Sequence, residues 1–248
     1  MGWIAEIASA TLTLSGTRVL DGAELRLAPG RIHALVGPGG GGKTLLLKVL
    51  ATLLAPDAGE VRLFGTTVDP RDGDALRDLR ARIGMQFQNL ALFDFLSVAD
   101  NVGFPLVQDR NPPPADQVAA RVEAALASVR LPDAGSLAVQ ALSGGMQRRV
   151  AVARAAVARP DLLLFDDPSG GLDPVTTSRI FALIGDVQAR QGCTVVVASH
   201  DIDRLARICT DFHVVHGGRV IFSGSLADGR ASDDPRVRMY LDVRDADA

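Results

Sequence analysis

A chain of 248 residues, 47% hydrophobic and 22% charged, carries enough apolar side chains to bury a full core, and its length suits one domain or one domain with an insertion. A formal net charge of −3 excludes the broad basic field that nucleic-acid binding needs and gives no attraction to an anionic membrane surface. Cys193 and Cys209 stand apart within apolar segments, which excludes a disulfide framework or a Cys-x-x-Cys zinc site and fits a reducing cytosol; Met1-Gly-Trp-Ile-Ala-Glu is no export signal, and the longest apolar run, Leu45 to Ala55, is interrupted by Lys48.

Residues 4 to 36 alternate apolar and polar positions through Ile7, Leu12, Leu14, Leu25, Leu27, Ile32, Leu35 and Val36, with Gly16, Gly22 and Pro29-Gly30 as turns, so short strands lead into one buried strand. A glycine run from Gly37 to Gly42 follows directly, and Lys43 to Leu54 has the composition of a buried helix. Next come a strand at Val61 to Phe64, a charged helix at Asp74 to Arg82 and a β-rich piece, Ile83-Gly-Met-Gln-Phe. From 88 to 140 helical periodicity takes over, broken by Pro112-Pro113-Pro114 and resumed in an amphipathic stretch from Gln117 to Val129. This reads as a helical subdomain, 88–140, inserted into a core formed by 1–87 and 141–248. Beyond Ser143 the order is helix to Ala158, strand Leu162 to Phe165, helix Val175 to Arg190, strand Val195 to Ser199, helix Ile202 to Ile208 and two strands near 212 to 222. Such alternation predicts an α/β fold with a mostly parallel core sheet. Trp3, the proline cluster and the acidic C-terminus read most simply as packing, linker and solvated tail.

Gly37, Pro38, Gly39, Gly40, Gly41, Gly42, Lys43 and Thr44 spell G-x-x-x-x-G-K-[ST] between a predicted strand and a predicted helix. Glycines let backbone N–H groups turn inward around a β-phosphate, and the helix N-terminus adds positive dipole. Lys43 reaches β/γ oxygens, and the Thr44 hydroxyl faces Mg²⁺. Leu162-Leu-Leu-Phe165-Asp166-Asp167 is an apolar strand ending in paired carboxylates, where a parallel sheet presents its ligand-facing groups. Asp166 is the candidate to orient Mg²⁺, and Asp167 the general base for an attacking water.

Leu142-Ser143-Gly144-Gly145, opening a helix just before that acidic strand, resembles the signature motif of ABC ATPases. The other pieces stand in that family's order: Gln88 resembles the Q-loop, Gly171-Leu172-Asp173 the D-loop and Ser199-His200-Asp201 the switch histidine. The resemblance covers essentially the whole chain. It implies a P-loop NTPase fold of ABC type, with an N-terminal antiparallel β subdomain beside the core sheet. ATP and Mg²⁺ would be the cofactors, with Thr44, Gln88 and Asp166 toward the metal and Asp167, His200 and Gln88 toward catalysis. Loop residues 37–44 with Leu45 would hold the nucleotide, while Ser143, Gly144, Gly145 and Asp173 would close over the site of a second subunit, most simply another copy of this chain. Met146, where most signatures have Gln, and the stretch Ala91-Leu-Phe93 to Asn101-Val-Gly-Phe-Pro-Leu106 resemble the Mla/Mce-type lipid-transport ATPases, as does Asp234-Pro-Arg-Val-Arg238 with Tyr240-Leu241. That likeness implies an MlaE-type permease, an Mce-domain partner, a lipid cargo and a place on the cytoplasmic face of a bacterial inner membrane.

Three positions depart from the pattern. Asp167 replaces the usual Glu, Ser15 stands where many relatives carry an adenine-stacking aromatic, and Leu45 replaces a second hydroxyl residue. They keep open a regulatory subunit with a degenerate site beside a catalytic partner, while an importer of polar solutes is the alternative on the transport side. Soluble ABC ATPases of repair or translation bring coiled-coil insertions or tandem cassettes, which this chain lacks.

Overall fold

The computed structural model describes residues 2–242. The chain divides into two compact units, Met1–Arg80 with Thr194–Ala248, and Ala81–Cys193.

In the first unit, β1 (Ala5–Leu14) and β2 (Thr17–Leu27) form an antiparallel hairpin around the Ser15-Gly16 turn. The sequence leads one to expect short strands here. The two run to 10 and 11 residues because the alternation persists through Thr, Arg and Glu on the open face, while Ala5, Ile7, Ala10, Leu12, Leu20, Ala23, Leu25 and Leu27 are buried on the other. β4 (Ala58–Leu63) pairs with β1, and β5 (Thr66–Thr67), too short to leave a sequence signal, closes an antiparallel sheet of order β2-β1-β4-β5.

The same unit contains parallel strands. β3 (Ile32–Val36) lies between β8 (Thr194–Ala198) and β9 (Asp211–His216), parallel to both, and β10 (Arg219–Gly224) runs antiparallel to β9. Every residue of β3 and β8 is buried, the mark of strands covered on both faces. α1 (Lys43–Leu50) buries Leu46, Leu47, Val49 and Leu50 and packs on β8. It stops short of Leu54 because Thr52 takes a left-handed φ of 56° and the amides of Leu53 and Leu54 both turn back to the Lys48 carbonyl. α2 (Gly73–Ala81), α7 (Ile202–Leu205), α8 (Leu226–Arg230) and α9 (Pro235–Leu241) complete the helices numbered on this side; the last two carry caps from Ser225 and Asp234. Trp3, expected to pack, is 45% exposed. Residues 243–248 of the acidic tail lie outside the described residues.

In the second unit, β6 (Ile83–Gln86) pairs in parallel with β7 (Leu162–Asp166), whose five residues are all buried. Around them lie α3 (Val98–Val107), α4 (Ala115–Ser128), α5 (Gly144–Ala156) and α6 (Pro174–Gln191). Three of these helices start at the residue the chemistry predicts, since Ser97, Ser143 and Asp173 each accept a first-turn amide. α5 packs against α3, α4, α6 and β6, and Gly84 sits so close to it that a Cβ would lie 2.1 Å from the Ala155 carbonyl oxygen. No helix among the described residues is long and apolar enough to cross a membrane.

Candidate active site

The phosphate loop of the first unit is built on backbone that only glycine adopts without strain. Gly37 has φ 137°, Gly40 71° and Gly42 113°, and a Cβ on Gly37 would stand 2.0 Å from the Val215 carbonyl oxygen. Gly41 donates to the Pro38 carbonyl at 3.1 Å, and Gly218 donates to the Gly41 carbonyl at 3.1 Å, tying the loop to the β9-β10 turn. Gly42 is the N-cap of α1 and supplies no side chain to the first-turn amides, the arrangement that receives an anion. Lys43 Nζ lies 2.8 Å from both the Gly37 and Pro38 carbonyl oxygens, so the ammonium is held over the loop. Thr44 and Leu45 follow in the first turn, half-buried. His200 is exposed just past β8, followed by Asp201, which caps α7 and pairs with Arg204.

In the second unit, Asp166 ends β7 and is buried, and Asp167 follows it at φ 43°. That left-handed turn, closed by Gly170 N–H donating to the Asp167 carbonyl at 3.3 Å, sends the chain off the strand at once. Gln88 is exposed in the turn after β6. The segment after it is held by Arg154, which sequence reasoning passes over, and by Asn101, which it names only within a subfamily-like stretch. Arg154, buried on α5, donates to the carbonyls of Leu90 and Ala91 at 2.5 and 2.6 Å, and these two residues have positive φ. Fully buried Asn101 accepts from Phe93 N–H at 2.8 Å and donates to the Phe93 and Ser97 carbonyls at 2.9 and 3.0 Å. A polar residue within an apolar helical stretch was the available signal for both.

Ser143, Gly145 and Asp173 line one cavity of about 540 Å³, shared with Arg130, Arg149 and Arg179. The Ser143 hydroxyl accepts the Met146 amide at 3.3 Å, and Gly144 has open space where a side chain would be. Asp173 accepts the amides of Val175 and Thr176 at 3.0 and 2.9 Å, and its contact with the Thr176 side chain, followed by these amides, lowers its pKa. Of the expected residues, the structure thus groups the loop with Lys43 in one unit, and Ser143, Gly145 and Asp173 around one cavity in the other.

The profile of the family described as ABC transporter matches residues 20–170. The chain belongs to that family. The Escherichia coli (strain K12) intermembrane phospholipid transport system ATP-binding protein MlaF is 35% identical over 239 residues, spanning 96% of this chain and 88% of MlaF. The Haemophilus influenzae MlaF is 34% identical over 96% of this chain and 90% of its own length. The Salmonella typhi methionine import ATP-binding protein MetN 2 is 38% identical over 86% of this chain but 62% of that protein. Among solved structures, the dimeric post-hydrolysis state of the ATP-binding cassette MJ0796 bound to ADP and Pi superposes with a TM-score of 0.82 at 28% identity, covering 89% of this chain and 98% of that one. The cassette cbiO1 from Clostridium perfringens gives 0.81 at 28% identity over 98% and 100%. This ABC protein is accordingly the ATP-binding and ATP-hydrolysing subunit of a transporter, and it works with a partner ATPase subunit.

Proposed function

We propose that this subunit drives the movement of phospholipid, or another hydrophobic lipid, through an MlaE-type permease with an Mce-domain partner, from the cytoplasmic face of the inner membrane. The observation that carries the reading is the extent of the MlaF likeness, which runs over 96% of this chain, whereas the MetN likeness reaches 86%. Met146 and the Asn101-centred stretch point the same way.

In the mechanism, Lys43 and the glycine amides hold the β- and γ-phosphates of ATP, and Ser143 and Gly145 of a second copy close over the γ-phosphate. The Thr44 hydroxyl, the Gln88 amide oxygen and the Asp166 carboxylate are hard oxygen donors, a set that fits Mg²⁺. When bound, the ion neutralises charge on the phosphate oxygens. Asp167 takes a proton from water as the water oxygen bonds to the γ-phosphorus and the bond to the β-phosphate oxygen breaks, releasing ADP. His200 contacts the γ-phosphate, Asp173 links the two subunits, and Gln88 passes the state of the site to the helical subdomain 88–140, which receives the permease.

The test is ATP-dependent transfer of labelled phospholipid in proteoliposomes holding the subunit and its permease. Transfer that vanishes in Lys43→Ala is expected. Uptake of a polar solute such as methionine, with no lipid transfer, overturns the cargo. Alongside, Asp167→Asn is expected to lower hydrolysis roughly 10²-fold or more, and Asp167→Glu to raise it. A wild-type rate already at the Lys43→Ala background, restored by Glu, overturns the motor reading in favour of a regulatory subunit.

A further inference from the structure

Two oppositely charged side chains of the second unit each bury an atom that nothing satisfies. Asp167 Oδ1 and Arg148 Nε are both shielded from solvent without a hydrogen-bond partner. Burying either group bare is costly, so such pairs of orphans are rare in folded chains and mark places where a contact is completed during function. The Asp167 carboxylate is the charge that counteracts the effect of burial on the Arg148 guanidinium.

The surroundings leave this carboxylate unusually free to be directed. Its backbone is left-handed, at φ 43°. The side chain lies back over the turn, and a Cβ on Gly170 would stand 2.5 Å from its Oδ2. Gly170 therefore provides room for the carboxylate and gives it no donor from a side chain. Arg148, in the second turn of α5 after the Ser143 cap, is half-buried and supplies a rigid fork of donors that a carboxylate matches.

We propose that Arg148 is the positioning residue for Asp167: its guanidinium draws the short carboxylate off the Gly170 turn and aligns it for the attacking water. Charge here replaces the reach that one more methylene gives Glu. This inference rests on Asp167 being the general base, as argued above, and it adds the residue that lets Asp serve.

The test compares steady-state ATP hydrolysis by Arg148→Gln, Arg148→Lys, Asp167→Asn, Asp167→Glu and the double variant Asp167→Glu with Arg148→Gln. Arg148→Gln is expected to lower kcat on the order of 10- to 100-fold, a part of what a positioned base contributes, with the KM for ATP within about twofold. Arg148→Lys keeps the charge and retains a third or more of kcat. In the Asp167→Glu background, the loss of Arg148 costs less than about threefold, since Glu reaches by itself. Equal losses in the Asp and Glu backgrounds overturn the inference, as does a wild-type kcat in Arg148→Gln while Asp167→Asn is inactive. If Asp167→Asn itself hydrolyses ATP at the wild-type rate, the base assignment fails instead. Should Arg148→Gln not fold, Arg148→Lys decides: kcat at the Asp167→Asn level with ATP binding intact overturns the role of the charge.

Discussion

At the scale of single residues, Gln86 shows how a polar side chain in an otherwise apolar position makes its own case. It is fully buried at the end of β6; its Nε2 donates to the Phe87 carbonyl at 3.0 Å, but its Oε1 has no partner. The period of two along the strand puts Gln86 on the face of Gly84, which packs on α5. Leucine there removes the bare acceptor, and the Phe87 carbonyl still receives the Leu90 amide at 2.8 Å. Gln86→Leu is therefore expected to raise stability by about 1 kcal/mol, read as a higher thermal midpoint, and to leave the hydrolysis rate unchanged. A lower midpoint would show that Oε1 is satisfied in solution. Motif spacing singles out Lys43 and Asp166 in the sequence, because phosphate chemistry constrains the order of residue types, whereas His200 enters only through the family likeness. Spacing did not single out Gln86, Arg148 or Arg154, because a lone polar residue in an apolar stretch signals that a partner is needed without saying which one.

Among elements, β3, β9 and β10 are joined by a hydrogen-bonded chain of two buried histidines and a serine. His33 Nε2 lies 2.9 Å from the Ala28 carbonyl oxygen and so carries a proton, which leaves Nδ1 to accept from His213 Nε2 at 3.2 Å. His213 Nδ1 in turn accepts from the Ser223 hydroxyl at 2.8 Å. A proton added to His33 would set two N–H groups against each other. Burial lowers both pKa values, that of His213 to about 3, against the opposing pull of Asp211. In the unfolded chain the two titrate near 6.5, so acid adds protons to the unfolded state first. The stability held by the neutral pair is whole above pH 6.5 and declines as pH falls from there toward 3. From pH 7.5 to 5.0 one such histidine costs about 2 kcal/mol, or roughly 4–8 °C of thermal midpoint. The lowered carboxylates, Asp21, Glu60, Asp173, Asp211 and Asp234, lose their contribution only as pH falls below about 5, beneath that window. His213→Leu should flatten the dependence, and a midpoint that is level down to pH 5.0 in the wild type would refute the neutral pair. The strands themselves were legible, since β7 and β8 are almost wholly apolar runs and β3 is interrupted only by His33. Their ends were less so: α1 stops at Leu50 through the left-handed Thr52, a backbone choice that side-chain pattern does not encode.

For the whole molecule, the order of strands and helices along the chain was enough to predict an α/β fold, while α9 falls on a stretch, Asp234 to Leu241, noted only for its likeness to a subfamily, and α8 went unread. The phosphate loop's dependence on another part of the chain was invisible, because Gly37 and Gly41 meet residues 215 and 218, far away in sequence. That meeting makes the turn between β9 and β10 a reporter. Arg219, exposed and paired with Asp21, is a natural trypsin cleavage residue one position past Gly218. An ATP-filled loop steadies the Gly41 carbonyl and with it the turn, so ATP should slow tryptic cleavage after Arg219 severalfold in the wild type and not in Lys43→Ala. Cleavage at equal rates with and without ATP would separate loop from turn. The rate of a peptide nick on the far side of a hairpin thus becomes a clock for nucleotide arrival.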